Sequence, residues 1–177
     1  MTTREIAAAL QRVEAVLHRR PDKGLHDEAP ATARWQGGTR IVASHANGAQ
    51  MATDMPTELG GAGKDVTPGW LFRAGFASCT ATCIAMGAAA RGIELASLEV
   101  RATSRSDLRG LFGMADAGGE PVPAGPRDVR LVVRISARGV DAQQLRSLVE
   151  ESYCCSPISS AVRDAVPVEL EIDVGGH

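Results

Sequence analysis

Ile6, Leu10, Val13 and Leu17 recur at intervals of three and four, with Arg4, Gln11, Arg12 and His18 off that stripe. This period predicts an amphipathic helix over residues 3–19, ended by Pro21. A polar connector over 22–30 follows, so residues 1–30 read as an N-terminal helix and connector appended to a domain over 31–177. Beyond it come three short runs, 31–35, 40–44 and 50–53, which read as a strand meander. Gly37-Gly38 separates the first two, and Asn47-Gly48 marks a hairpin before the third.

A glycine-rich loop, 54–66, feeds the most distinctive stretch of the chain. Apart from Arg73, residues 68–90 carry no charge, and they are rich in Ala, Gly, Ser, Thr and Cys. Thr67 suits the N-cap, Pro68 the first helical position and Gly92 the C-terminal stop. A long helix with no charged face is expected to be buried on most of its circumference.

After this helix, Leu98, Val100 and Ala102 alternate with Glu99, Arg101 and Thr103, the pattern of a half-buried strand. Residues 104–110 read as a solvated strand end or as the lining of a site, and 111–126 as loop. Val129, Leu131, Val133 and Ile135 alternate again. Asp141 caps a helix to about Tyr153, with Leu145, Leu148 and Val149 inward; Ser156-Pro157 restarts a short helix to about Ala165. Residues 166–174 then read as a closing strand that buries Val166, Val168, Leu170 and Ile172 and exposes Glu169, Glu171 and Asp173. The order β-β-β-α-β-β-α-α-β sustains no βαβ rhythm, so the expected class is α+β with mainly antiparallel sheet.

Composition narrows the function classes. A net charge of −2 and a pI near 6.1 lack the basic footprint of a nucleic-acid binder. The helix at 68–91 is long enough to cross a bilayer, but its Ser, Thr and Gly content and Arg73 argue against membrane spanning. The glycine loop lacks the Lys-Ser/Thr ending of a phosphate-binding loop, so no nucleotide cofactor is expected. Four cysteines without a secretion signal predict free thiols in a reducing compartment, with cytoplasm the default.

Those cysteines carry the candidate chemistry. Cys79 and Cys83 sit one turn apart on one helix face, while Cys154 and Cys155 are adjacent. Adjacent cysteines do not readily share one metal, so no zinc site is expected. His18, His26, His45 and His177 all fall in peripheral or loop segments, and no Ser-His-Asp or Cys-His arrangement emerges. Cys79 therefore reads either as a small packing residue or as a reagent. As a reagent its thiolate needs a cation, best an arginine held by a carboxylate, and Arg40 and Glu58 are the candidates.

The segment D-M-P-T-E-L-G-G-A-G-K-D-V-T-P-G-W-L-F-R-A-G-F-A-S-C resembles the OsmC/Ohr family, the osmotically inducible and organic hydroperoxide resistance proteins. The resemblance continues through A-A-A-R-G-I-E-L, C-C-S-P-I-S-S-A-V and V-P-V-E-L-E-I, covering about 31–174. It implies a two-helix, two-sheet α+β fold, an intertwined homodimer with sites at the subunit interface, and thiol-dependent reduction of organic hydroperoxides. It further implies that Cys79 is the peroxidatic cysteine, Glu58 the loop carboxylate and Arg40 the catalytic arginine, with Arg34 a rival in the same region. An external dithiol would reset the enzyme; no cofactor, nucleic acid or membrane partner is implied. One departure stands out. Catalytic members carry Cys-Pro at the start of the late short helix, where this chain has Ser156-Pro157, as does a less characterised branch of the family. Cys155, one residue earlier, is the candidate resolving thiol, with Cys154 two residues earlier. The competing expectation is a non-catalytic dimer of the same fold that binds a small apolar ligand.

Overall fold

Capping chemistry sets the helix boundaries. In the computed structural model, which describes residues 1–164 and 166–174, helix α1 spans Thr3–Arg19. The Thr2 hydroxyl accepts from the Glu5 amide while the Glu5 carboxylate accepts from the Thr2 amide, a reciprocal box at the helix start. Strands β1 (Thr32–Trp35), β2 (Ile41–Ser44) and β3 (Gln50–Thr53) form an antiparallel sheet in the order β1-β2-β3. Its registers pair Arg34 with Val42 and Ile41 with Thr53. Gly37, Gly38 and Gly48 take positive φ in the two connecting turns, a conformation that favours glycine.

Helix α2 spans Pro68–Ala90, with the Thr67 hydroxyl accepting from the Trp70 amide. Strands β4 (Leu95–Arg105) and β5 (Arg127–Ala137) make a long antiparallel pair that centres on Val100 opposite Val133. Between them lies a single turn, α3 (Leu108–Leu111), which the residue pattern does not announce. Helix α4 (Ala142–Cys154) starts on the Asp141 cap, and α5 (Pro157–Arg163) follows after a break of two residues. The sheets are antiparallel and the helices are set apart from any βαβ repeat, so the α+β expectation holds.

Helix α2 is the hub, packing against α1, β4, α4 and α5. Its inner stripe of Ile84 and Ala88 meets Leu145 and Leu148 of α4, and Leu98, Val100, Val133 and Ile135 of the long strand pair close over them. Glycine permits the α2–α4 approach: a Cβ on Gly87 would lie 2.7 Å from Ser152 Oγ and 3.1 Å from Leu148 Cδ1. Arg91, just past α2, ties the pair with an ion pair to Glu151.

Two sequence expectations are corrected. Burial of α2 is confined to one stripe, Phe76, Thr80, Ile84, Ala88 and Ala89, while Trp70, Phe72 and Met86 stay exposed. Among the described residues of one chain, the elements packed on this 23-residue helix cover one side of it. The closing strand over 166–174 also does not form. Val168, Leu170 and Ile172 are 88, 81 and 73% exposed. A strand is defined by its ladder, and among the described residues no strand edge pairs with 166–174. The expected end of the last helix at Ala165 lies outside the described residues, as does His177; α5 itself stops at Arg163.

Candidate thiol site

Cys79 and Cys83 lie about three and about four turns beyond the start of α2, both half-buried. Small neighbours let α5 come close: a Cβ on Gly75 would sit 3.8 Å from Ile158 Cδ1. Two hydroxyl contacts stitch this seam. Thr80 Oγ1 and Ser159 Oγ are 3.2 Å apart, and Thr80 also donates to the Phe76 carbonyl at 3.0 Å. One turn earlier on α5, Ser156 Oγ donates to Cys79 Sγ at 3.3 Å.

Ser156 is fully buried and occupies the N-cap position of α5. An N-cap serine ordinarily turns its oxygen back to its own helix. Here it makes no such bond and is turned to the sulfur of Cys79 instead. Burial pushes the Cys83 thiol up, and the neighbouring Cys79 adds to the effect, so Cys83 stays protonated through neutral pH. Cys154 and Cys155 are exposed at the end of α4, and all four cysteines are free thiols.

The other expected site residues lie in the β-meander and its following loop. Arg40 stands just ahead of β2 and donates through Nε to Asp65 Oδ2 at 3.1 Å. Glu58 sits in a short turn, Thr57–Leu59, where its carboxylate accepts from Thr57 Oγ1 at 3.3 Å. Arg34, on β1, is exposed. Among the described residues of the single chain, no hydrogen bond or ion pair joins Arg40 to Glu58, or either to Cys79.

A residue that sequence reasoning passed over organises this loop. Asp54 is buried at 3% exposure and gathers Thr39 Oγ1 at 2.6 Å and the amides of Met55 and Ala62, each at 2.8 Å. The Thr39 bond, followed by the Ala62 bond, holds its carboxyl below the usual carboxylate range. The loop is tight enough that a Cβ on Gly61 would fall 1.7 Å from the Met55 carbonyl oxygen. The available signal was an aspartate followed by a Gly-Gly turn, a residue type that readily collects backbone amides. Asp54 thus fixes the loop that carries Glu58, between the sheet and the start of α2.

The fold and the thiol seam can be set beside known proteins. The sequence pattern of the OsmC-like protein family matches residues 61–171, which contain α2, the long strand pair and both late helices. The chain is an OsmC-like protein. Organic hydroperoxide resistance proteins of Xanthomonas axonopodis pv. citri (strain 306) and Xanthomonas campestris pv. phaseoli are each 29% identical to it over 153 residues, 86% of this chain and 97% of theirs. Among solved structures, the OsmC like protein from Mycoplasma pneumoniae superposes with a TM-score of 0.64 at 15% identity, covering 80% of this chain and 91% of that one. An organic hydroperoxide resistance protein from Elizabethkingia anophelis gives 0.59 at 24% identity, covering 80% and 92%. At these identities the structural likeness speaks for the fold of this OsmC-like chain.

Proposed function

We propose that this OsmC-like protein is a thiol-dependent peroxidase that reduces organic hydroperoxides at Cys79. The observation that carries the reading is the placement of that sulfur: half-buried on the family's long helix and hydrogen-bonded by a buried hydroxyl. Its curated relatives are named for organic hydroperoxide resistance, which points the same way.

In this reading the Cys79 thiolate attacks the distal peroxide oxygen. The O–O bond breaks, Cys79 becomes a sulfenic acid, and the departing alkoxide takes up a proton to leave as the alcohol. Cys155 then condenses with the sulfenic acid, releasing water and forming a disulfide, which an external dithiol reduces back to two thiols. Arg40, oriented by Glu58, stabilises the thiolate and the alkoxide. These two residues come to Cys79 from the second subunit of a homodimer, an arrangement that fits the lack of any hydrogen bond or ion pair between them and Cys79 among the described residues of one chain. The uncovered side of α2 and the apolar strip at 166–174 support such an assembly, because both leave apolar surface exposed in a single chain. The N-terminal helix and connector, 1–30, form an appendage to the catalytic domain, 31–177, and the protein works in the cytoplasm, where a dithiol supply keeps its cysteines reduced.

One observation favours a second reading, in which the protein is a non-catalytic dimer holding a small apolar ligand. Ser156 stands where catalytic members of the family carry the resolving cysteine, and it contacts Cys79 directly. Mass spectrometry after one equivalent of cumene hydroperoxide separates the two. The peroxidase reading expects oxidation at Cys79, and turnover with dithiol that disappears in Cys79→Ser. Unoxidised Cys79, or turnover that survives the substitution, eliminates it.

A further inference from the structure

The β4–β5 pair has two unlike faces. Leu98, Val100, Val133 and Ile135 point inward and close over α2 and α4. Alternation turns Glu99, Arg101 and Arg105 of β4, and Arg130 and Arg134 of β5, to the opposite face, where all five are exposed. The register sets these charges in rows. Arg134 stands opposite Glu99, Arg101 opposite Val132, Arg130 opposite Thr103, and Arg105 opposite Arg127. Each row lies two residues along β4 from the last, about 7 Å on, and every row holds an arginine.

The fold does little to offset this charge. Arg134 meets Glu99, and Arg105 meets Asp128, each at 3.6 Å, too long for a hydrogen bond. Among the described residues Arg101, Arg127 and Arg130 enter no ion pair. Arg105 faces Arg127 directly, and Arg101 has Arg130 and Arg134 as diagonal neighbours. Like charges so placed weaken a sheet. A chain whose net charge is −2 thus concentrates arginine on one exposed face, at a cost to its own stability.

We infer that this face docks an acidic polypeptide segment in extended conformation, its alternate carboxylates seated on the arginine rows. In an extended chain every second side chain falls on one side, about 7 Å from the next, which is the period of the rows. A guanidinium forks a carboxylate with two parallel N–H donors, and a carboxylate on each row removes the repulsion between neighbouring arginines. Surfaces for single-stranded nucleic acid carry aromatic side chains on which bases stack, and neither β4 nor β5 holds one. The face lies on the side of the sheet away from α2, so docking leaves the thiol seam clear and does not rest on the peroxidase reading.

The test follows the fluorescence anisotropy of a labelled peptide of alternating Glu and Ser, and in parallel of labelled oligothymidylate, as the full chain is added at neutral pH. At about 0.05 M salt saturable peptide binding is expected, tighter than that of oligothymidylate and weaker by about tenfold or more at about 0.5 M salt. Arg101→Glu/Arg130→Glu should weaken the peptide complex by about tenfold. Arg12→Glu/Arg19→Glu on α1 makes the same change in net charge and should move it by less than about twofold. No saturable peptide binding, tighter binding of oligothymidylate, or equal losses in the two double variants would each overturn the assignment. Thermal unfolding checks that each variant is folded. If Arg101→Glu/Arg130→Glu does not fold, Arg101→Gln/Arg130→Gln replaces it: a weaker peptide complex supports the surface, and an unchanged one refutes it.

Discussion

Ser156 and Cys79, 77 positions apart in sequence, meet as hydroxyl donor and sulfur acceptor at 3.3 Å across the α2–α5 seam. A thiolate accepts such a bond more strongly than a thiol does, so the contact bears on reactivity as well as packing. Replacing the hydroxyl in Ser156→Ala should slow alkylation of Cys79 by iodoacetamide about fivefold, the worth of one hydrogen bond. Peptide mapping of labelling rates measures this, and an unchanged rate would reduce the contact to packing.

The same proximity makes a gain of function testable. Ser156→Cys puts a second thiol against Cys79, at the position where catalytic members of the family hold one. After one equivalent of cumene hydroperoxide, a disulfide between Cys79 and the introduced thiol is expected in non-reducing peptide maps. A bond from Cys79 to Cys155 in that variant would instead show that α5 does not hold position 156 against α2 during turnover.

Cys83 should be the slowest of the four thiols. Burial and the neighbouring Cys79 push it up, while Cys154 and Cys155 are exposed. Time-resolved labelling at pH 8 should therefore find Cys154 and Cys155 modified first and Cys83 last. Early labelling of Cys83 would mean that the seam opens in solution.

Much of this architecture could be read from residue patterns, and the exceptions share a cause. The caps Thr67 and Asp141 and the alternation through Val129–Ile135 are local signals, and the structure uses them as local rules predict. Cys79 was legible as a candidate because its helix is so short of charge. Its hydroxyl partner was not, because Ser156 reads as a cap and only the packing of α5 on α2 turns its oxygen aside. Asp54 was passed over for the same reason: its amide partners come from loop closure, and no spacing encodes that. Arg40 shows the limit of identifying a residue without its geometry, since within the chain its partner is Asp65. At 166–174 the alternation was plain, but a pattern cannot say which edge, on which chain, will pair with it.

Asp54 gives the loop a pH signature. Its carboxyl lies below the ordinary value of 3.8 in the folded protein, so its contribution is complete above that value and is lost as pH falls through the lower, folded one. Acid unfolding followed by circular dichroism should show this loss below pH 4, and Asp54→Asn should flatten it while lowering the melting temperature at neutral pH. A variant with the parent's acid limb would assign the transition to another group.

Gly87 marks where the two main helices touch most closely. An added methyl group meets Ser152 and Leu148, so Gly87→Ala should destabilise the fold by about 1–3 kcal/mol in urea unfolding, despite the better helix propensity of alanine. Unchanged or increased stability would mean that α4 can slide away at no cost.

The bare strip at 166–174 has a kinetic and thermodynamic corollary for the homodimer proposed above. A molecule that completes its apolar burial only by pairing with a twin folds in a bimolecular step, so its melting point rises with protein concentration and its refolding accelerates with it. At nanomolar dilution such a protein would lose structure that it holds securely at micromolar levels, and its cellular abundance would then itself decide how much of it is folded.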